Sequence, residues 1–140
     1  MDGAVALSTE MADRIAHVKA AIRNTPAAPV ADAEAIRAID ARLADINVKL
    51  TGDQTIASRS ESVPWPVTRR AALIYQRLLD VRSPVPGLYE DSYAVAADEF
   101  GGVLADLTAV ESDLAALETR LEQMGAPYTP GRIPLWSDRH

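Results

Sequence analysis

YEDSYAVAADEFGGVLADLTAVESDLAALETRLEQM, which runs from Tyr89 to Met124, is the stretch that decides the fold. In alternating steps of four and three residues, every position is apolar or aromatic over about five heptads. The positions are Tyr89, Tyr93, Ala96, Phe100, Val103, Leu107, Val110, Leu114, Leu117, Leu121 and Met124. A helix of this length measures about 54 Å. Because one helix cannot bury such a stripe alone, the rest of the chain is predicted to cover it.

Three shorter amphipathic helices are predicted before the long one, over residues 8–23, 32–51 and 67–82. Ser8 and Asp32 are the expected N-caps of the first two, because their side-chain oxygens can accept hydrogen bonds from first-turn N–H groups. The inward stripes are Leu7, Met11, Ile15, Val18 and Ile22; Ile36, Ile39, Leu43, Ile46 and Leu50; and Ala71, Ile74, Leu78 and Val81. Since the first two helices are joined by few residues, they are predicted to lie antiparallel.

Proline and glycine mark the ends of these helices. Pro26 ends the first helix, because the residue before a proline resists the helical region. Gly52 and Gly125 are the expected C-terminal stops of the second helix and of the long helix, 88–124. The proline-dense residues 125–140 are predicted to form an extended strap. The sequence therefore predicts one all-α domain over residues 1–140, an antiparallel up-and-down four-helix bundle with a long last helix and a proline-rich C-terminal strap.

Two adjacent glycines, Gly101 and Gly102, interrupt the polar face of the long helix. Each costs a helix about 1 kcal/mol relative to alanine. The preferred interpretation is that they let a neighbouring backbone approach closely, and the alternative is a local kink.

Composition and charge exclude several classes of function. The chain has 140 residues, no cysteine and a net charge of −6, so thiolate metal sites and disulfides are excluded. Residues 1–82 carry a balance of +1 and residues 83–140 a balance of −7. This distribution argues against nucleic acid or an anionic membrane as the partner, because both require basic patches. The long helix is expected to show an acidic face flanked by arginines from other helices, with an acidic docking surface as the alternative.

The N-terminus shows no signal-peptide pattern, which makes the cytoplasm the default location unless a longer parent protein is exported.

No pattern in the sequence assembles a catalytic or cofactor site. Glu10, Asp13 and His17 share a helical face, but zinc would require more nitrogen or sulfur ligands. Nucleophile elbows, phosphate loops and dinucleotide fingerprints are absent from the sequence. Four carboxylates of the long helix could in principle pair for glycoside chemistry, although they fall on its polar side. They are Asp98, Asp106, Glu111 and Asp113.

Exposed aromatic and aliphatic residues outside the helices are the candidates for protein interaction. The long connection 53–66 has no periodicity, and Trp65 within it is flanked by two prolines. This tryptophan is expected to pack on the end of the bundle, with a partner anchor as the alternative. The strap contributes four further candidates, Tyr128, Ile133, Leu135 and Trp136.

Three segments carry a resemblance to a known family. They are LTGDQTIASRSE at residues 50–61, AADEF at residues 96–100 and GAPYTPGRIPLW at residues 125–136. The chain resembles the helical C-terminal region of large bacterial proteins built mainly from sortilin-like, BNR-repeat β-propellers, often labelled glycosyl hydrolases. The propeller's Ser-x-Asp-x-Gly repeat does not occur here, so the resemblance transfers no catalytic residue. It implies a helical appendage, present here either as an excised domain or as a small protein that shares the module.

The sequence therefore favours a non-catalytic structural or interaction module without a cofactor or metal. The expected partner is a protein, either an upstream propeller domain or a second copy of the chain as a homodimer. The long coiled-coil-like stripe motivates the homodimer, because the shorter helices leave part of it uncovered. The alternative function is an accessory part of a glycoside hydrolase, with an acidic site on the long helix and the 53–66 loop.

Overall fold

The computed structural model describes residues 1–52, 65–80, 88–127 and 129–130. Within these ranges the chain forms four α-helices and no strand, so the all-α class is confirmed. The helices are α1 (Asp2–Arg23), α2 (Val30–Thr51), α3 (Val67–Asp80) and α4 (Leu88–Gln123). None of the described helices is both long enough and apolar enough to cross a membrane.

The core lies between α1, α2 and α4. All five residues of the predicted α2 stripe are buried, and so are six successive positions of the α4 stripe. The main buried cluster consists of Ala4, Met11, Ile15, Val18, Ile36, Ile39, Leu43, Ile46, Leu50, Val103, Leu107, Val110, Leu114, Leu117 and Leu121. Helix α3 packs against α2 and α4. Its predicted inward residues Ile74, Leu78 and Val81 lie outside the described side chains.

Helix α4 is one continuous helix of 36 residues, as predicted, but its buried stripe is shorter than the sequence pattern indicated. Ala96 is buried, whereas Tyr93, one step earlier in the stripe, is 65% exposed. The apolar pattern therefore extends beyond the part of α4 that the other described helices cover. The side chain of Tyr89 lies outside the described residues.

The first helix begins six residues earlier than predicted, and Ser8 is not its N-cap. The stripe continues backwards from Met11 to Ser8 and Ala4 in steps of three and four, and both residues are buried. Because these extra turns pack against the core, the helix extends through them. Leu7, which was predicted to face inward, lies beside this stripe and is exposed.

Asp32 was also wrongly predicted as a cap. Pro29, in an extended conformation, is the N-cap of α2, and the helix starts at Val30. The N–H of Asp32 donates to the carbonyl of Pro29 at 3.0 Å, which places Asp32 in the first turn. A carboxylate there still interacts favourably with the positive end of the helix dipole. It also pairs with Arg120 of α4 at 3.1 Å.

The predicted helix stops are confirmed. Gly52 has φ +85° and donates its N–H to Val48, and Gly125 has φ +76°. At the end of α4, Gly125 donates to the carbonyl of Glu122 and Ala126 donates to that of Leu121. These two bonds form a Schellman motif, which uses a residue at positive φ to satisfy the last carbonyls. Of the predicted strap, the structure describes residues 125–127 and 129–130.

Ion pairs between helices surround this core, and they confirm the prediction that cations from other helices flank the acidic long helix. Between α2 and α4, Arg42 pairs with Asp113 and Lys49 pairs with Asp106. Other interhelical pairs among the described residues are Arg14 with Glu118 and Glu111, Lys19 with Asp40, Arg70 with Glu99, and Arg120 with Asp32. Along α2 and α4 the paired residues run in opposite numerical order. The exposed pairs among them, such as Arg42 with Asp113 and Lys49 with Asp106, contribute at most about 1 kcal/mol each.

Candidate functional site

A cleft lies where α2, α3 and α4 meet beside Trp65. It has a volume of about 500 Å³. Its lining is formed by Val48, Lys49, Gly52, Trp65, Pro66, Val67, Arg70, Glu99, Gly102, Val103 and Asp106. We call this cleft the Trp65 groove.

Local contacts fix the wall of the Trp65 groove that carries the tryptophan. The hydroxyl of Thr68 donates to the carbonyl of Leu50 at 2.7 Å, which ties the start of α3 to the end of α2. Gly52 lies against Pro66, since a Cβ built on Gly52 would stand 3.4 Å from the Pro66 ring. Val67 is buried directly after this contact. These contacts hold Trp65 at the edge of the bundle.

Trp65 is partly covered on the protein's own side and remains accessible. The guanidinium carbon of Arg69, one turn along α3, lies 4.5 Å from the centroid of its ring. A cation at this distance is attracted by the electrons of the aromatic ring. The side chain is nonetheless 44% exposed. Trp65 therefore packs against Arg69 at the edge of the bundle and still leaves apolar surface accessible.

The α4 side of the groove is flanked by two ion pairs. A single Arg70 nitrogen donates to both carboxylate oxygens of Glu99, at 2.7 and 2.8 Å, and Lys49 donates to Asp106 at 3.0 Å. Glu99 and Asp106 are seven residues apart, which corresponds to about 10.5 Å along a helix. Gly102 lies on the same face of α4 between them. The groove thus presents an apolar centre with a neutralised charge pair on each side.

The two central glycines of α4 do not mark a close approach of another described helix, so the preferred prediction was wrong. At both Gly101 and Gly102, an added Cβ would meet no atom of another described element within 4 Å. The helix also runs through both residues as one element. Only Gly102 lines the Trp65 groove. Its missing side chain leaves the floor of the groove open.

A second polar feature, a buried ion pair, lies inside the bundle rather than in the groove. Arg14 of α1 donates to both carboxylate oxygens of Glu118 on α4, at 3.2 and 2.7 Å. The Glu118 side chain is only 2% exposed. Its hydrogen bond to Arg14, reinforced by the nearby charges of Glu118, Glu111 and Glu10 and opposed by burial, raises the pKa of Arg14 above its ordinary value.

Sequence reasoning missed two buried polar contacts of the interior. The hydroxyl of Ser8 donates to the side-chain carbonyl of Asn47 across α1 and α2. Glu118 is buried directly after Leu117, although its charge predicts exposure. A signal was available for Ser8, because the stripe of α1 continues to it without a gap. No comparable signal existed for Glu118, since its partner Arg14 is 104 residues away in the chain.

The acidic residues considered for chemistry lie apart from one another along α4 and are mostly ion-paired. Asp106 and Asp113 pair with different cations of α2, and Glu111 lies 3.7 Å from Arg14. Asp98 is exposed. Glycoside hydrolysis needs two carboxyl groups facing one substrate, one of them kept protonated by its surroundings. The described residues do not bring these four carboxylates together in that way.

The three candidate metal ligands of α1 lie on the surface of the helix. Glu10, Asp13 and His17 are all exposed. Among the residues that the structure describes, no group of three or more histidine, aspartate or glutamate side chains is placed to hold a metal ion.

The candidates for interaction in the strap, Tyr128, Ile133, Leu135 and Trp136, lie outside the described residues. The 53–64 part of the loop does as well. Of the five predicted interaction residues, the structure therefore places Trp65 alone. The groove beside it was not predicted.

Comparison with protein-family models, with curated protein sequences and with solved structures gives no match. Function is therefore inferred from the sequence motifs and from the geometry of the groove.

Proposed function

We propose that this protein is a non-catalytic interaction module and that the Trp65 groove is its docking surface for another protein. The observation that carries the proposal is the exposed Trp65 beside the open floor at Gly102. Tryptophan is enriched among the residues that dominate binding energy at interfaces, because it buries a large area with few rotatable bonds. A groove with an apolar centre and paired charges on its flanks has the arrangement of such an interface.

Further exposed apolar side chains support docking on this part of the molecule. Val48 lines the groove and is exposed, and Leu73 of α3 and Leu104 of α4 are exposed on two of the helices that form it. Scattered apolar residues are normal on a protein surface, but several on the helices around one groove are typical of interaction sites. The local charge pairs are already satisfied within the chain, so an incoming apolar group would leave no unpaired charge.

The proposed partner is an upstream β-propeller domain, in line with the resemblance carried by residues 50–61, 96–100 and 125–136. A second copy of the chain is the other candidate. The proposal includes the finer architecture as well, in which α1 and α2 form an antiparallel hairpin and residues 125–140 form a strap along the bundle. The opposite numerical order of the α2 and α4 ion pairs means that these two helices run antiparallel, whereas the second and fourth helices of the predicted up-and-down four-helix bundle would run parallel.

Filling the groove tests this proposal, and the glycine pair supplies a matched control. Gly102→Leu places a side chain in the groove, whereas Gly101→Leu adds the same side chain one residue away, outside the groove lining. Both changes favour the helix. Light scattering over a concentration series measures self-association. Where a propeller is encoded in frame upstream of Met1, calorimetry of that separate domain with the chain measures docking.

The expected result is that Gly102→Leu weakens association at least tenfold and Gly101→Leu does not. A strictly monomeric chain that also fails to bind the propeller domain contradicts the proposal. So does equal binding by the two leucine variants, since the groove would then be uninvolved. Glycosidase activity of the purified chain, lost on Glu99→Gln or Asp106→Asn, would instead favour the hydrolase accessory.

A further inference from the structure

The structure brings two copies of one tripeptide together at the end of the α1–α2 hairpin. Ala21-Ile22-Arg23 ends α1, and Ala35-Ile36-Arg37 lies in the second turn of α2. Both copies border a cleft of about 270 Å³. None of the residues that line this cleft lines the Trp65 groove. The cleft is lined by Lys19, Ile22, Arg23, Ala33, Ile36 and Arg37. We call it the Ile-Arg cleft.

The lining of the Ile-Arg cleft is apolar at the centre and cationic at the rim. Ile36 belongs to the buried core, and Ile22 is partly buried and packs against it. Arg23 and Arg37 are exposed, and Lys19 is half-buried. All three polar residues of the lining are cations, although the protein as a whole carries a charge of −6.

Arg23 and Arg37 differ from the other described cations in having no partner among the residues that the structure describes. Lys19 is held by Asp40 at 2.6 Å. Arg69 lies over the Trp65 ring, and each remaining lysine or arginine whose side chain is described pairs with a carboxylate; these are Arg14, Arg42, Lys49, Arg70 and Arg120. Within the described residues, Arg23 and Arg37 form neither an ion pair nor a ring contact. The two unpartnered guanidinium groups border the same cleft.

Interaction with a helix dipole explains the position of only one of these two arginines. Arg23 lies in the last turn of α1, where a cation interacts favourably with the negative end of the helix dipole. Arg37 lies in the second turn of α2, toward the positive end of that helix's own dipole, which does not favour a cation. Two like charges beside one apolar cleft repel each other unless an anion lies between them.

We propose that the Ile-Arg cleft binds a small carboxylate that carries a short apolar group. The carboxylate accepts hydrogen bonds from Arg23 and Arg37, whose planar guanidinium groups match its geometry. The apolar group covers Ile22 and Ile36. At about 30 Å³ per water in the liquid, the cleft has the volume of about nine waters, which suits a ligand such as hexanoate. This site is separate from the Trp65 groove and does not depend on the docking proposal.

Titration of the intact chain with hexanoate, followed by amide chemical shifts, tests the site. Saturable shifts are expected at Ile22, Arg23, Ile36 and Arg37. Hexanol lacks the carboxylate and inorganic phosphate lacks the apolar group, so each is expected to bind at least tenfold more weakly. N-acetyl-glycyl-leucine with a free carboxylate, compared with hexanoate, shows whether the end of a peptide chain or a free acid fits better, and either preference supports the proposal. The amide of the same peptide lacks the carboxylate and is expected to bind more weakly than the acid.

Charge-matched variants separate specific binding from the general field of the protein. Arg23→Gln with Arg37→Gln is expected to weaken hexanoate binding at least tenfold. Arg42→Gln with Lys49→Gln removes the same charge elsewhere and is expected to change it less than twofold. All four side chains are exposed, so both double variants are expected to fold, which thermal melts verify. Absence of saturable hexanoate binding overturns the proposal, and so does equal binding of hexanol or phosphate or equal loss in both double variants.

Discussion

Arg14 on α1 and Glu118 on α4 form a two-point hydrogen-bonded ion pair across the interior of the bundle, with N–O distances of 3.2 and 2.7 Å. The arginine side chain is 15% exposed and the glutamate 2% exposed. Burying a charge is costly unless its partner is held close, so this pair constrains how α1 and α4 face each other. The exposed pairs of the same bundle impose a much weaker constraint.

Arg14→Met is expected to destabilise the protein by about 3 kcal/mol, because it leaves the carboxylate of Glu118 buried without its main cationic partner. Arg42→Met removes an exposed pair and is expected to cost less than about 1 kcal/mol. Urea unfolding followed by circular dichroism measures both changes. The double variant Arg14→Met with Glu118→Leu is expected to recover most of the loss. A cost for Arg14→Met no larger than that for Arg42→Met would contradict the importance of the buried pair.

The contribution of Arg14 is expected to be independent of pH in the neutral and mildly alkaline range. Its pKa is raised in the folded state, chiefly by the hydrogen bond to Glu118. A raised pKa gives stability that is fully present below the ordinary pKa of an arginine in the unfolded chain and is lost only as the pH rises through the higher folded value. The difference in unfolding free energy between the wild type and Arg14→Met should therefore stay constant between about pH 7 and pH 10. A decrease across that range would show that a group other than Arg14 titrates.

Replacing either central glycine of α4 by alanine is expected to stabilise the protein. Neither Gly101 nor Gly102 has a neighbour that a methyl group would meet, and both lie inside a continuous helix. Each substitution should therefore add about 1 kcal/mol through helix propensity alone. Denaturant unfolding of the two single variants and the double variant checks this. Destabilisation would reveal a close contact at the glycine, such as one made by a partner in an associated state.

The heptad patterns predicted most of the core, because burial there follows from residues close together in sequence. The α2 stripe from Ile36 to Leu50 is buried at every predicted position. The start of α1 was predicted less well, since Ser8 looks like a cap and is instead a core residue. Its partner Asn47 is 39 residues away, and this kind of tertiary contact leaves no local pattern.

The candidate site depended even more on tertiary structure. Trp65 was recognised from its proline flanks, but the groove exists only because the start of α3 meets α4 at Gly102. Gly101 and Gly102 were singled out because glycine destabilises a helix, and the predicted close approach of a neighbouring backbone was wrong. Likewise, the repeated Ala-Ile-Arg tripeptide does not by itself predict a site, because only the packing of α1 against α2 brings Arg23 and Arg37 to one cleft.

Thr129→Val is expected to stabilise the protein by about 1 kcal/mol. The side chain of Thr129 is 5% exposed, and its hydroxyl is the buried side-chain polar atom in the described residues that lacks a hydrogen-bond partner. A buried unsatisfied hydroxyl costs about 1–3 kcal/mol, and valine replaces it with a methyl group of similar shape. Thr108→Val is the matched control, because the hydroxyl of Thr108 is exposed and donates to Leu104 at 2.8 Å. Thermal melts should show a higher midpoint for Thr129→Val and little change for the control. A lower midpoint for Thr129→Val would mean that this hydroxyl is hydrogen-bonded in solution.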